Sequence, residues 1–114
     1  PQPAFLNAAL VGDTAGSAED VLALLLAIER ERGRERPFVN APRTLDLDLI
    51  LFGCARIDGP ALVIPHPRFR ERRFVLEPLA EIAPDLVDPV TGTTVGGLLQ
   101  DLADAEERST RRHA

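Results

Sequence analysis

Residues 42–53 impose the strongest constraint on the fold, because apolar side chains alternate there between a proline and a glycine. With a period of two, the leucines at positions 45, 47, 49 and 51 share one face, and the other face begins with Asp46 and Asp48. Such alternation is typical of a β-strand with one buried side. The pattern therefore predicts a central strand from Thr44 to Phe52 with its leucine face buried.

The two aspartates at the start of this strand predict a metal site. Side chains two residues apart on a strand project to the same side, roughly 6–7 Å apart at their bases, and neighbouring carboxylates repel unless a cation lies between them. Mg²⁺ commonly takes one or two protein carboxylates together with substrate phosphates. Arg43 can offer a phosphate its planar guanidinium fork. The alternative is a solvated strand face, but Arg43 and the apolar strand favour the metal site.

The composition predicts one small globular domain, placed at residues 1–105, with a charged tail at 106–114. The 114 residues are 45% hydrophobic and 27% charged, and the formal net charge is -5, which disfavours a nucleic-acid-binding surface. A single cysteine, Cys54, excludes an internal disulfide framework and favours a reducing compartment, so a cytoplasmic location is expected. No apolar run is long enough to cross a membrane, so no membrane partner is expected.

The first part of the chain predicts a strand followed by a helix. Residues 4–11 are mostly apolar and predict a strand, in which Asn7 either faces solvent or hydrogen-bonds a ligand. Ser17 and Asp20 have the spacing of a capping box, which predicts a helix over residues 18–32. We expect this helix to bury an apolar stripe, formed by Val21, Leu22, Leu24, Leu25 and Ile28.

Two basic segments flank the central strand. In the loop at residues 33–41, Arg34 and Arg36 are candidates for a phosphate site, or they belong to a solvated charge run. In residues 65–74, His66 lies between two prolines that stiffen its backbone. Four arginines follow within this segment, at positions 68, 70, 72 and 73. They predict either a clamp on a polyphosphate or a solvated basic turn.

The remaining sequence predicts a hairpin and two helices. Residues 55–57 and 62–64 flank a Gly-Pro turn and predict the hairpin. A helix is expected over residues 74–83, with a kink or restart at Pro78. Thr94 is expected to cap a last helix that buries the leucines at positions 98, 99 and 102, and the chain is expected to fray from Glu106 onward.

The motifs PRTLDLDLILFG and IPHPRFRERRFVLEPLAEIAPD closely resemble the 6-hydroxymethyl-7,8-dihydropterin pyrophosphokinase family of the folate pathway, also named 2-amino-4-hydroxy-6-hydroxymethyldihydropteridine diphosphokinase. The resemblance extends from Phe5 to Asp85 and includes FLNAA and IERERGRER. It implies an α+β fold, a ferredoxin-like sandwich with an antiparallel sheet. In this N-terminally truncated chain, the first strand, the first helix and the second strand of that fold are expected to be missing.

The resemblance also implies the reaction, which is transfer of pyrophosphate from ATP to 6-hydroxymethyl-7,8-dihydropterin with release of AMP. Asp46 and Asp48 would hold two Mg²⁺ ions and, together with Arg43 and Arg72, would form the catalytic set. The nucleotide and its phosphates would be contacted by Glu29, Arg36, His66 and Arg72. The pterin pocket would be formed by Phe5, Asn7, Arg43 and Phe74.

Two other functions stay open at this point. The chain could be a catalytically impaired fragment that still binds MgATP, or a structural fragment that pairs with another chain. The family resemblance implies a monomer, whereas unpaired strand edges would favour self-association of this chain. Little or no turnover by the chain alone is expected, because an incomplete pocket would not fix the spacing of the two aspartates.

Overall fold

The computed structural model describes residues 7–33 and 46–112. In chain order, its elements are helix α1 (Ala18–Gly33), strand β1 (Ile57–Asp58), strand β2 (Val63–Ile64), a 3₁₀ turn (Phe69–Glu71), helix α2 (Arg73–Ile82) and helix α3 (Val95–Arg112). The described part thus combines helices with a small antiparallel sheet and is compatible with an α+β fold. Within it, no helix combines the length and apolar character needed to cross a membrane.

The core forms where α2 packs on α3 and on the 3₁₀ turn. Leu76 and Leu79 lie three residues apart on one face of α2, as expected for an amphipathic helix. They meet Val95 and Leu98 of α3, and Phe69 of the turn is completely buried among them. The helix continues through Pro78, so no restart occurs there. The predicted helix over residues 74–83 is therefore confirmed to within one residue at each end.

Helix α3 begins as predicted but is longer than predicted. The Thr94 hydroxyl accepts a hydrogen bond from the Gly97 N–H at 3.0 Å, Leu98 is buried, and the other two leucines are half-buried. The prediction that the chain frays from Glu106 is wrong, since α3 continues to Arg112. Arg73 on α2 explains part of this, because its guanidinium donates to Glu77 at 2.9 Å and to Glu106 at 2.6 Å.

The predicted hairpin is present, although it is short. Ile57 pairs with Ile64 and Asp58 pairs with Val63 in antiparallel register. The turn closes with a hydrogen bond from the Gly59 N–H to the Leu62 carbonyl at 3.0 Å. The peptide bond that follows β2, between Ile64 and Pro65, is cis.

The two strands predicted at residues 4–11 and 44–52 are not formed in their described parts. Residues 7–11 and 46–52 have no strand assignment. A strand needs a neighbour that accepts and donates its backbone hydrogen bonds, and the described residues provide no such neighbour to either segment. The alternation is still visible in exposure, since Asp46 and Asp48 are exposed while Leu47 and Leu49 are half-buried.

Helix α1 matches the predicted bounds to within one residue, but the predicted apolar stripe is only partly buried. Its capping box is reciprocal, with the Asp20 N–H donating to the Ser17 hydroxyl and the Ser17 N–H donating to the Asp20 carboxylate, both at 3.1 Å. However, Leu24 is 58% exposed and Ile28 is 37% exposed. Val21, Leu22 and Leu25 are half-buried. In the described part of the chain no other helix or strand packs against α1, so the stripe is not covered completely.

Candidate functional site

The segment at residues 46–50 is held from two sides by hydrogen bonds to its backbone. The Leu47 N–H donates to the Glu29 carboxylate at 2.6 Å, and the Ile50 carbonyl accepts from the His66 N–H at 2.8 Å. These two bonds lie on either side of Asp48. The structure therefore brings together three regions that are far apart in sequence: the end of α1, the aspartate segment and the histidine between two prolines.

Glu29 accepts a backbone hydrogen bond that the carbonyl of a neighbouring strand would accept in a sheet. It lies near the end of α1 and is half-buried, and its carboxylate takes the backbone donor of the residue between the two aspartates. A hydrogen bond to an ionised acceptor is shorter and about twice as strong as a neutral one. Glu29 therefore fixes the backbone from which both aspartates project. The family resemblance implies a different role for Glu29, as a contact of the nucleotide, and that role stays a prediction.

Asp46 and Asp48 are both exposed and offer hard oxygen ligands. Further along the segment, Ile50 and Leu51 pack against the buried cluster that includes Phe69 and Leu76, so the segment contacts the core. Among the described residues, no group of three or more histidine, cysteine or acidic side chains is placed to hold a metal ion. A pair of accessible carboxylates fits Mg²⁺, which keeps waters and completes its shell with substrate phosphates.

His66 presents an unsatisfied polar atom beside this segment. Its backbone N–H is bonded to Ile50, but its imidazole Nδ1 is buried and has no hydrogen-bond partner in the part of the chain that the structure describes. An unsatisfied buried polar atom costs roughly 1–3 kcal/mol. Imidazole nitrogens donate or accept according to their protonation, so an enclosed water molecule would satisfy this atom.

Arg72 and Phe74 lie next to each other at the start of α2. The Arg72 guanidinium carbon is 5.8 Å from the centre of the Phe74 ring, within the range of a cation–π contact. The Arg72 carbonyl accepts from the N–H groups of Val75 and Leu76, both at 3.0 Å, so its backbone is fixed by the helix. Phe74 is 52% exposed, which leaves much of its ring accessible.

Phe5, Arg36 and Arg43 lie outside the described residues, as does Arg34 of the same basic loop. Asn7 is described; it is exposed and lies in a segment without regular secondary structure.

The prediction of a four-arginine clamp is wrong for at least two of its members, because acidic side chains of the chain itself bind them. Arg73 is bonded to Glu77 and Glu106. Arg70 forms a fork with Asp88, in which Nε lies 2.5 Å from one carboxylate oxygen and Nη2 lies 2.9 Å from the other. Arg68 also lies within 3.6 Å of Glu71, although both side chains are largely exposed. Arg72 is therefore the best candidate for an external anion.

Asp88 is a buried charged residue that the sequence analysis did not identify. Its side chain is completely buried, and besides Arg70 it accepts hydrogen bonds from the Thr91 hydroxyl at 2.8 Å and from the Val90 N–H at 3.0 Å. The bonds from Arg70 lower the pKa of Asp88 to about 2, more than burial raises it. The spacing of Asp88, Pro89 and Thr91 is typical of a turn in which a carboxylate bonds the following backbone, and it could have indicated this residue.

Residues 1–84 match the family model described as 7,8-dihydro-6-hydroxymethylpterin-pyrophosphokinase. Among the curated relatives, the 2-amino-4-hydroxy-6-hydroxymethyldihydropteridine pyrophosphokinase of Synechocystis sp. is 46% identical over 102 residues, which are 90% of this chain and 52% of the relative. The protein of the same name from Pseudomonas aeruginosa is 49% identical over 85 residues, 75% of this chain and 52% of the relative.

A longer relative matches as well. The folic acid synthesis protein fol1 of Pneumocystis carinii is 43% identical over 103 residues, which are 90% of this chain but 14% of that protein. The chain thus spans about half the length of the two bacterial relatives and a small part of the fungal one. The match of the family model includes the aspartate segment, His66 and Arg72.

Proposed function

The chain belongs to the 7,8-dihydro-6-hydroxymethylpterin-pyrophosphokinase family, and we propose from this membership that it provides the nucleotide- and metal-binding part of such an enzyme. The proposed reaction transfers the pyrophosphoryl group of ATP to the hydroxymethyl oxygen of 6-hydroxymethyl-7,8-dihydropterin and releases AMP. The observation that best supports the proposal is the exposed pair Asp46 and Asp48, held between Glu29 and His66.

In this proposal Asp46 and Asp48 are the protein ligands of two Mg²⁺ ions. Their exposure and hard oxygen atoms support the assignment, and Glu29 keeps the intervening backbone in place. When bound with ATP, Mg²⁺ would neutralise negative charge on the phosphate oxygens. Pyrophosphoryl transfer needs positioning and charge stabilisation more than covalent catalysis, and two accessible carboxylates on a fixed backbone can support both.

His66 and Arg72 are proposed as phosphate contacts. The role of His66 is supported by the part of this residue that remains exposed and by the hydrogen bond of its backbone N–H to the Ile50 carbonyl of the aspartate segment. Arg72 is supported by its fixed backbone and by the internal pairing of Arg70 and Arg73, which leaves it the best placed arginine of its segment. Arg36 and Arg43 are proposed as further phosphate contacts from the family pattern.

The pterin pocket is proposed to include Phe5, Asn7, Arg43 and Phe74. Phe74 has the accessible ring that stacking on a flat heterocycle requires. Asn7 is exposed and can present its amide to a donor–acceptor edge.

The complete family fold is proposed to be a ferredoxin-like α+β sandwich, in which further strands pair with residues 46–52. Support comes from the half-buried side chains of Leu47, Leu49 and Leu51 in that segment and from the exposed apolar side chains of α1, such as Leu24. A monomeric, cytoplasmic enzyme that binds neither nucleic acid nor membrane is part of the same proposal. The net charge of -5 and the single cysteine support it.

A second candidate function is a structural fragment that pairs with another chain. The exposed apolar side chains of α1 favour it, since a second chain could cover them. Size-exclusion chromatography separates the two candidates: a monomer that binds MgATP supports the enzyme part, and a stable dimer without nucleotide affinity supports the structural fragment.

The proposal is tested by calorimetry with an ATP analogue that has a methylene bridge between its α- and β-phosphates. We expect Mg²⁺ to increase the affinity of the chain, and the double variant Asp46→Asn with Asp48→Asn to lose that increase. Asp101→Asn, which changes an exposed aspartate on α3, is the matched control and should behave as the unchanged chain does. Equal Mg²⁺ dependence in all three proteins would contradict the proposal.

A further inference from the structure

Asp88 is the centre of a closed turn. Its carboxylate receives four hydrogen bonds, two from Arg70, one from Thr91 and one from the Val90 N–H. Its own N–H donates to the Thr93 carbonyl at 2.9 Å, and its carbonyl accepts from the Gly92 N–H at 2.8 Å. The carboxylate is thereby fixed in position before α3 begins, and it has no exposed surface with which to contact a ligand.

The partner of this carboxylate lies inside the basic segment of the candidate site. Arg70 belongs to the 3₁₀ turn that separates His66 from Arg72. Phe69, its neighbour in the turn, is completely buried in the core. The turn is thus attached at two consecutive residues that point to different partners. A single attachment would allow the turn to rotate, whereas a second one through a bidentate fork also fixes its orientation.

Backbone hydrogen bonds connect this turn to both candidate phosphate contacts. The Phe69 N–H donates to the His66 carbonyl, and the Arg72 N–H donates to the Phe69 carbonyl, both at 3.3 Å. Reorientation of the turn would therefore move His66 and Arg72 relative to each other. These bonds are long for N–H···O contacts, so they hold the turn less firmly than the fork does.

We propose that Asp88 is a positioning residue, which acts through Arg70 to set the placement of His66 and Arg72 toward the phosphates. This inference rests on the proposed function for its ligand. It differs from a purely stabilising role, because an ion pair that only stabilised the fold would change the free energy of unfolding and leave the affinity of the folded chain for nucleotide unchanged.

The chain offers two matched controls. Arg73 and Glu106 form another ion pair between α2 and α3, outside the turn, so Glu106→Gln removes an ion pair without releasing the turn. Ala103 lies in the interior of α3 and outside the core cluster, so Ala103→Gly lowers stability by about 1 kcal/mol through helix propensity without removing a core side chain. Both controls should bind nucleotide as the unchanged chain does when all proteins are compared well below their melting temperatures.

The first experiment measures the affinity for the Mg²⁺ complex of the same ATP analogue. Asp88→Asn should weaken binding about tenfold, the lower end of what is typical when a supporting partner of a binding group is lost. Arg70→Lys, which keeps the charge but not the fork, should give an intermediate affinity. If Asp88→Asn does not fold, Thr91→Val replaces it, since it removes one of the four bonds and should weaken binding to a smaller extent. Asp88→Asn binding as tightly as Glu106→Gln would overturn the proposal.

The second experiment needs no nucleotide and separates this proposal from the proposed function. Amide hydrogen exchange is measured by NMR at Phe69 in the turn, at Arg72 directly after it, and at Ala83, whose N–H donates to the Leu79 carbonyl of α2 at 2.8 Å. Asp88→Asn should accelerate exchange selectively at the Phe69 and Arg72 amides, whereas Ala103→Gly should accelerate all three together. A uniform acceleration in Asp88→Asn would overturn the positioning role. If the unchanged chain fails to bind nucleotide, the proposed function is wrong. The exchange pattern alone then tests whether Asp88 positions the turn.

Discussion

Asp88 makes the stability of the chain depend on pH in a way that can be measured separately from the other acidic residues. Its pKa is lowered in the folded chain from 3.8 to about 2, mainly by the hydrogen bonds from Arg70. A lowered pKa means that the folded state favours the carboxylate. The stabilisation is therefore complete above pH values near the unfolded pKa, and it is lost as the pH falls toward the folded pKa.

The size of this effect follows from the shift. One pKa unit corresponds to about 1.36 kcal/mol, so the shift corresponds to about 2 kcal/mol of unfolding free energy in total, of which about 1 kcal/mol is lost by pH 3. The side chain of Asp88 is completely buried, so water screens the Arg70–Asp88 pair less than it screens an exposed pair. Asp88→Asn lacks the titrating group and cannot show this loss.

Urea unfolding followed by far-ultraviolet circular dichroism tests the prediction between about pH 5 and about pH 3. At the higher pH, Asp88→Asn should be less stable than the unchanged chain, because it leaves Arg70 without its charged partner. The difference in unfolding free energy between the unchanged chain and Asp88→Asn should shrink by about 1 kcal/mol as the pH falls to about 3. The control Ala103→Gly changes no titratable group and should keep a constant difference. A constant difference for Asp88→Asn as well would refute the reasoning about the ion pair.

Three further predictions concern the fold. Leu76→Ala should destabilise the chain by about 2–5 kcal/mol because Leu76 is fully buried. Leu24→Ala should change stability by less than about 0.5 kcal/mol because Leu24 is largely exposed. Equal losses of stability in thermal unfolding would contradict the exposure of Leu24 on α1. Ser17→Ala should cost about 1 kcal/mol through loss of the α1 cap, and a helix that keeps its full circular dichroism signal and melting temperature would argue against this. Gly92 has a φ of 73°, so Gly92→Ala should cost about 1–2 kcal/mol; an unchanged urea midpoint would show that the turn adapts.

The helices could be predicted from sequence because their signals are local. The hydroxyl and carboxylate spacing of Ser17 and Asp20 determines the start of α1, and Thr94 determines the start of α3. The burial of Leu76 and Leu79 follows from their spacing on one helix face. Helix formation needs only hydrogen bonds within the segment, so a short stretch of sequence contains most of the required information.

The strands and the ion pairs depend on partners elsewhere in the chain, and these were predicted less well. The alternation agrees with exposure at residues 46–49, whereas Ile50 and Phe52 are half-buried like the leucines of the other face. A strand also needs a neighbour, and here Glu29 and His66 bind two of the backbone groups instead. Likewise, the arginines of residues 65–74 are visible in the sequence, while the pairing of Arg70 with Asp88 becomes visible only when the chain is folded. Charge density alone therefore overestimated the number of arginines available to a phosphate.

The central claim is that a metal–nucleotide complex binds at Asp46 and Asp48, next to His66. The most direct measurement replaces Mg²⁺ with paramagnetic Mn²⁺, which accepts the same oxygen ligands, and records the NMR spectrum of the chain with the methylene-bridged ATP analogue. The proposed site predicts that line broadening is strongest at Asp46, Leu47 and Asp48, extends to His66, and is weak on α3 near Asp101. Broadening centred on the acidic surface of α3, with sharp signals from the aspartate segment, would contradict the claim.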